Sequence, residues 1–200
     1  MKTKITKIAA SALLLAICIA SPAKAQVNAG IIGGINTSAV EVRNLDNRFA
    51  NETMDGKNIT GYEVGAFLKL KAGPVYLKPA LMYNYSRGKV TANNQDAIFK
   101  IQKVAVPVMF GLHLVGPLNI EAGPVYNYVT NVTEQYNSTN ITLARNGIGY
   151  RAGLAFEFGL LMINASYEGM TYPTTTGQTT FKEPYKFILG AGLKFGGDGK

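Results

Sequence analysis

The sequence predicts an all-β chain, an eight-stranded antiparallel up-and-down transmembrane β-barrel. Three observations carry that prediction. Segments of about ten residues alternate apolar and polar side chains with period two, which sets the two kinds on opposite faces of a sheet. Eight such segments follow one another, joined alternately by short Gly/Pro turns and by long polar connections. The face opposite the apolar one is rich in charge, and unpaired charge cannot fill the interior of a soluble barrel.

In chain order, the first element is a leader. Lys2, Lys4 and Lys7 precede an apolar run from Ile8 to Ala20, and Ala23-Lys24-Ala25 supplies a small-x-small cleavage pattern before Gln26. The run is short for a bilayer span, so residues 1–25 are expected to be a signal peptide and 26–200 the barrel domain. Cys18 raises a lipoprotein reading, but Ile17 stands where lipid attachment favours a small residue. The chain's one cysteine then departs with the leader, so neither disulfides nor thiolate chemistry are expected in the mature protein. The net charge of +8 also falls, because four lysines leave and 16 basic residues remain against 12 acidic ones. That balance, without a basic run or a recognition-helix pattern, gives no reason to expect a nucleic-acid partner.

The strands follow. Val27 to Asn36 sets Val27, Ala29, Ile31 and Ile35 against Asn28, Gly30, Gly34 and Asn36. Thr60 to Ser86 reads as a hairpin: Tyr62, Val64, Ala66, Leu68 and Leu70 alternate with polar or small residues, Ala72-Gly73-Pro74 turns the chain, and Val75, Leu77, Pro79, Leu81, Tyr83 and Tyr85 return. The fourth strand ends in Lys103 to Val115, with Pro107 demanding an edge, a bulge or a distorted pair. The fifth is Leu118 to Tyr128, the sixth Gly147 to Phe158, the seventh begins at Leu161, and the eighth is Tyr185 to Phe195. Short turns are expected near Gly73, Gly116 and Gly159. Long loops are expected over about 37–59, 87–97, 131–146 and 172–184. An even count puts both termini at the short-turn end, the periplasmic side in an outer-membrane barrel.

The two faces are then read from the alternation. The inward set holds Glu63, Lys69, Lys71, Lys78, Lys103, Glu121, Arg151, Glu157, Glu168, Lys186 and Lys194, seven basic and four acidic residues. Within it Lys69, Lys103, Glu121, Arg151 and Glu157 are expected to meet and to close the lumen with ion pairs, since eight strands leave room for little beyond side chains. The outward set is apolar and therefore faces lipid. Tyr62, Tyr83, Tyr85, Tyr126, Tyr128, Tyr150, Tyr167 and Tyr185 all belong to it, at the long-loop ends of their strands, as an interfacial aromatic girdle would. Phe156, Phe158 and Phe195 form a thinner belt at the other end.

On the eight-strand layout, the strand Lys103-Val-Ala-Val-Pro-Val108 and the closing Gly192-Leu-Lys-Phe195, the mature chain resembles the PorT-like, porin-family outer-membrane β-barrel proteins of Gram-negative bacteria. In architecture it is similar to the OmpA/OmpX type. The resemblance implies outer-membrane lipid and the barrel-assembly machinery as partners. It also implies either a narrow porin-like or structural barrel or an accessory role in protein export or surface attachment. Such barrels often end on an aromatic residue; here Gly196 to Lys200 follow Phe195.

Chemistry is sparse. His113 is the only histidine, inward-facing near the short-turn end, and with no cysteine it makes neither a metal site nor a catalytic triad. Ser86 and Ser166 fall roughly 20 Å away at about 3.3 Å per residue. No cofactor or metal is therefore expected, and a lipid-modifying enzyme, an activity some eight-stranded barrels have, is the less favoured reading because no base–nucleophile pair comes within reach. Asn51, Asn58, Asn131, Asn137 and Asn140 begin Asn-x-Thr or Asn-x-Ser/Thr-like triplets, which Asn/Thr-rich loops produce by chance. An extracellular ligand of the loops is left open.

Overall fold

The computed structural model describes residues 26–43, 54–92, 95–134, 146–170, 174–176 and 179–196. The leader and parts of every long connection lie outside the described residues, and so does the cleavage site. Nine strands are present among the described residues: β1 (Gln26–Arg43), β2 (Met54–Ala72), β3 (Val75–Ala92), β4 (Gln95–Val115), β5 (Leu118–Glu134), β6 (Asn146–Phe158), β7 (Leu161–Met170), β8 (Thr174–Thr176) and β9 (Thr179–Phe195). Each pairs antiparallel with its neighbour, and β9 returns to pair with β1, so eight strands close a barrel. The short β8 pairs only with β9, beyond the wall.

The three short turns explain their own sequences. Gly73, Gly116 and Gly159 have φ of 63°, 58° and 60°. Each takes the first of two central positions, where a type II′ hairpin turn needs positive φ. Pro74 and Pro117 at the second position exclude the I′ turn, because proline holds φ near −65°. The second residue of each turn also ties the rim together. Pro74, Pro117 and Leu160 accept backbone hydrogen bonds from His113, Glu157 and Lys194 at 2.7, 2.9 and 2.8 Å.

Proline distorts the wall where alternation alone would continue it. Between β3 and β4 the paired residues stop at Pro79↔Val108 and resume at Met82↔Ala105, beside Pro107. Proline offers no N–H to a ladder, so the interruption is the local cost of placing it inside a sheet.

The strand lengths correct the sequence reading. Segments of about ten residues are expected of a membrane strand, yet β4 runs 21 residues and β2 runs 19. The β1–β2 and β3–β4 pairs extend well into the stretches expected to be loop: β1 reaches Arg43, β2 starts at Met54, and only 93–94 separate β3 from β4. The tyrosines of β2, β3, β5 and β9 therefore stand partway along their strands instead of at the ends, whereas Tyr150 and Tyr167 lie near the loop ends of the shorter β6 and β7. A polar strand carries no period-two apolar signal, but its backbone ladder forms equally well in water. For the same reason Asn58 and Asn131 sit in β2 and β5, not in loops.

The sheet is turned inside out relative to a soluble barrel. Outward positions are apolar and exposed, such as Ile35, Leu81, Phe110 and Leu189. Inward positions are buried, and many are charged. On β6 the apolar outward run from Ile148 to Phe158 covers 11 residues. With strands tilted by about 40° and rising ~3.3 Å per residue, it makes a band about 25 Å tall, the height of a membrane-spanning belt.

Candidate functional site

The lumen is the site the sequence singles out, and the structure sorts its charges into two tiers. All eleven residues of the inward set point into the barrel. Lys71 and Glu157 are partly exposed near the turn-end rim, and the other nine are buried. The five residues expected to form a single cluster are separated. Glu121 and Glu157 lie close to the turn end of β5 and β6, whereas Arg151 stands three repeats of the pleat from Glu157 along β6, so one carboxylate set cannot serve all three cations.

The tier nearer the turns is built on two carboxylates. Glu157 accepts from Lys69 on Oε1 and from Lys194 at 3.1 Å on Oε2. Glu121 accepts from Lys78 on both oxygens and from the Tyr76 hydroxyl at 2.7 Å. The Lys69 ammonium lies 3.7 Å from the centroid of the Tyr76 ring, joining the two groups by a cation–π contact. Tyr76 was visible in the sequence only as one more inward residue between Val75 and Leu77. Gly111 makes room for it, since a Cβ there would run into its ring.

The second tier crosses the barrel. Arg151 donates to Glu63 through Nη1 and Nη2 at 3.0 and 3.1 Å, and to Glu168 through Nε and Nη2 at 3.0 and 2.6 Å. Lys186 reaches both carboxylates, at 3.4 Å to Glu63 and 3.5 Å to Glu168, and donates to Asn84 Oδ1 at 3.1 Å. Asn127 donates to Glu168 at 3.4 Å. Lys103 is buried within electrostatic range of Glu168 and Lys186. A planar guanidinium suits this position because its fork can hold two carboxylates at once.

Between the tiers the lumen is apolar. Met82, Ala105 and Val125 pack together with Ile32 and Ala80 against them, and Phe67 and Met109 are also buried. The space remaining there is a cavity of about 20 Å³, bounded by Phe67, Met82, Met109, Lys78, Glu121 and Arg151 among others. That is room for about one water molecule.

The remaining predicted residues fall on the outer wall or the rim. Tyr62, Tyr83, Tyr126, Tyr128, Tyr150 and Tyr185 are exposed on it, and Tyr85 and Tyr167 are half-buried there by neighbouring rings. Tyr62 stacks on Tyr85 at 5.3 Å between centroids. Tyr150, Tyr167, Phe187 and Tyr185 form a continuous chain of ring contacts across β6, β7 and β9. Phe156, Phe158 and Phe195 are exposed toward the turn end. His113 is exposed at the rim beside a bulge in β4, with Nδ1 3.2 Å from Asn119 Oδ1.

No family model matches the chain, and no curated protein matches its sequence. Solved structures do resemble it. The outer membrane protein OprG of Pseudomonas aeruginosa superposes with a TM-score of 0.54 at 14% identity, over 86% of this chain and 98% of that one. Ail, the attachment invasion locus protein of Yersinia pestis, solved with the heparin analogue sucrose octasulfate, gives 0.51 at 14% identity, over 85% and 99%. Neisserial surface protein A gives 0.50 at 10% identity, over 84% and 97%. The likeness is one of fold: the chain shares the eight-stranded barrel of these outer-membrane proteins.

Proposed function

We propose that the chain is an integral outer-membrane protein whose barrel is a closed scaffold, and that its activity resides in the connections presented at the loop end. The observation that supports this most directly is the inversion of the sheet. Exposed Ile, Leu, Phe and Tyr cover the outside, while Glu63, Arg151, Glu168 and Lys186 are buried at the centre. Only a hydrocarbon surround makes the outer face favourable, because water would oppose the exposure of so continuous an apolar belt. The filled lumen argues against a porin path: two ionic tiers and an apolar layer leave a cavity of about 20 Å³. In this reading the leader is removed after Ala25, both termini lie in the periplasm and the long connections are extracellular, where they meet a ligand of their own.

Two measurements test it. Cell fractionation with N-terminal sequencing is expected to place a chain starting at Gln26 in the outer membrane; a soluble chain, or one lipidated at Cys18, defeats the reading. In planar bilayers the purified barrel is expected to show no large steady conductance; a stable open pore would make it a porin instead. The resemblance to PorT-like barrels, seen in Lys103-Val-Ala-Val-Pro-Val108, implies a second reading, an accessory in protein export or surface attachment. Deletion of the protein followed by comparison of secreted proteins separates the two, and an unchanged secretome removes the export role.

A further inference from the structure

We propose that the lumen binds one small monovalent anion, of the halide class, between its two ionic tiers. The reason begins with charge. Among the described lumenal side chains, Lys69, Lys71, Lys78, Lys103, Arg151, Lys186 and Lys194 stand against Glu63, Glu121, Glu157 and Glu168, seven cations to four carboxylates. Both tiers share the excess. The turn-end tier has Lys69, Lys78 and Lys194 on Glu121 and Glu157, with Lys71 at its rim, and the second tier has Arg151 and Lys186 on Glu63 and Glu168, with Lys103 buried within electrostatic range. Two net-positive plates thus face one another across an apolar layer of low dielectric, where Coulomb energies are large and uncompensated charge is costly. The space midway between them is where a negative charge gains most.

The cavity of about 20 Å³ lies at that place, and its size suits a single water-sized occupant. Lys78 and Arg151 line it from opposite tiers, and Asn164, Ser166, Glu121 and Ala80 line it as well. Both cations keep a donor in reserve. Arg151 has five N–H groups, and its bonds to Glu63 and Glu168 use four. Lys78 has three, and Glu121 takes two. Asn164 is 5% exposed, and its Oδ1 accepts from no described residue. A half-turn of its carboxamide would present Nδ2 to the cavity and let the Ser166 hydroxyl donate to Oδ1. One ammonium, one guanidinium and one amide donor would then converge on the occupant. Glu121 does not oppose this, because Lys78 and Tyr76 already neutralise and bond its oxygens.

The test uses the full barrel refolded in detergent. Its unfolding midpoint is followed in sodium bromide against sodium gluconate at equal ionic strength. The midpoint is expected to rise with bromide and to saturate, as site binding requires and a general salt effect does not. Ala80→Leu fills the cavity without touching a charge, and its midpoint is expected to lose the bromide dependence. Crystals of the unaltered protein grown in bromide supply an independent measurement: anomalous scattering is expected between Lys78 and Arg151. Identical midpoints in the two salts, or a bromide effect that survives Ala80→Leu, would overturn the proposal. So would a cavity holding only water in bromide.

Discussion

Arg151 on β6 grips Glu63 on β2 with both of its terminal nitrogens, at 3.0 and 3.1 Å, from the diametrically opposite wall of the barrel. The two residues are 88 positions apart in sequence. The pair works as a cross-brace, and Glu168 from the adjacent β7 fixes the guanidinium plane.

Arg151→Ala removes that brace and leaves Glu63 and Glu168 buried with less compensation. Breaking a buried pair from one side costs about 3–5 kcal/mol. The heat-induced gel shift of the refolded variant is therefore expected at a clearly lower temperature than that of the unaltered barrel. Arg151→Met combined with Glu63→Gln is expected to recover part of the loss, since fewer charges then stand unpaired. A lumen insensitive to Arg151→Ala would show that the brace carries no stability.

Glu121→Ala strikes the other tier. It releases Lys78 and the Tyr76 hydroxyl together and raises the excess of positive charge beside the apolar layer. The expected outcome is a lower unfolding temperature and a small anion-favouring conductance in planar bilayers, absent from the unaltered protein. Reversal-potential measurements in a salt gradient check the sign.

Leu154→Arg and Ala155→Leu compare the two faces of one strand at nearly one height. Leu154 is 44% exposed on the outer wall, and Ala155 is fully buried inside. A charge at the bilayer midplane costs about 2–4 kcal/mol, so Leu154→Arg is expected to slow insertion into lipid vesicles while leaving folding in detergent less affected. Ala155→Leu overfills the lumen and is expected to destabilise the barrel by about 1–3 kcal/mol in either medium. Folding yields measured side by side in vesicles and micelles distinguish the two.

Gly111→Val tests the seat of Tyr76. Any side chain at Gly111 runs into the tyrosine ring, so the ring must leave and its bond to Glu121 must break. The variant is expected to melt lower, and Gly111→Val with Tyr76→Ala is expected to regain part of that loss because the collision is relieved.

How far the molecule could be read in advance differs from level to level. Alternation in Tyr62 to Leu70, and again in Ile148 to Phe158, determined how the side chains divide between the two faces, and the charge carried by one set determined that the apolar set turns outward. A strand has only two faces, and no tertiary contact can exchange them without slipping the register. The turns at Gly73, Gly116 and Gly159 were legible for an equally local reason, the φ that a two-residue hairpin demands. The extent of β1 to β4 was not, because a polar ladder in water carries no hydrophobic period. Nor could the sequence say that Glu121 joins Lys78 and Tyr76, or that Arg151 reaches across to Glu63. Those partnerships depend on how far each strand is staggered against the next around a closed sheet, and a charge's height in the lumen is known only once that stagger has accumulated from β2 to β6.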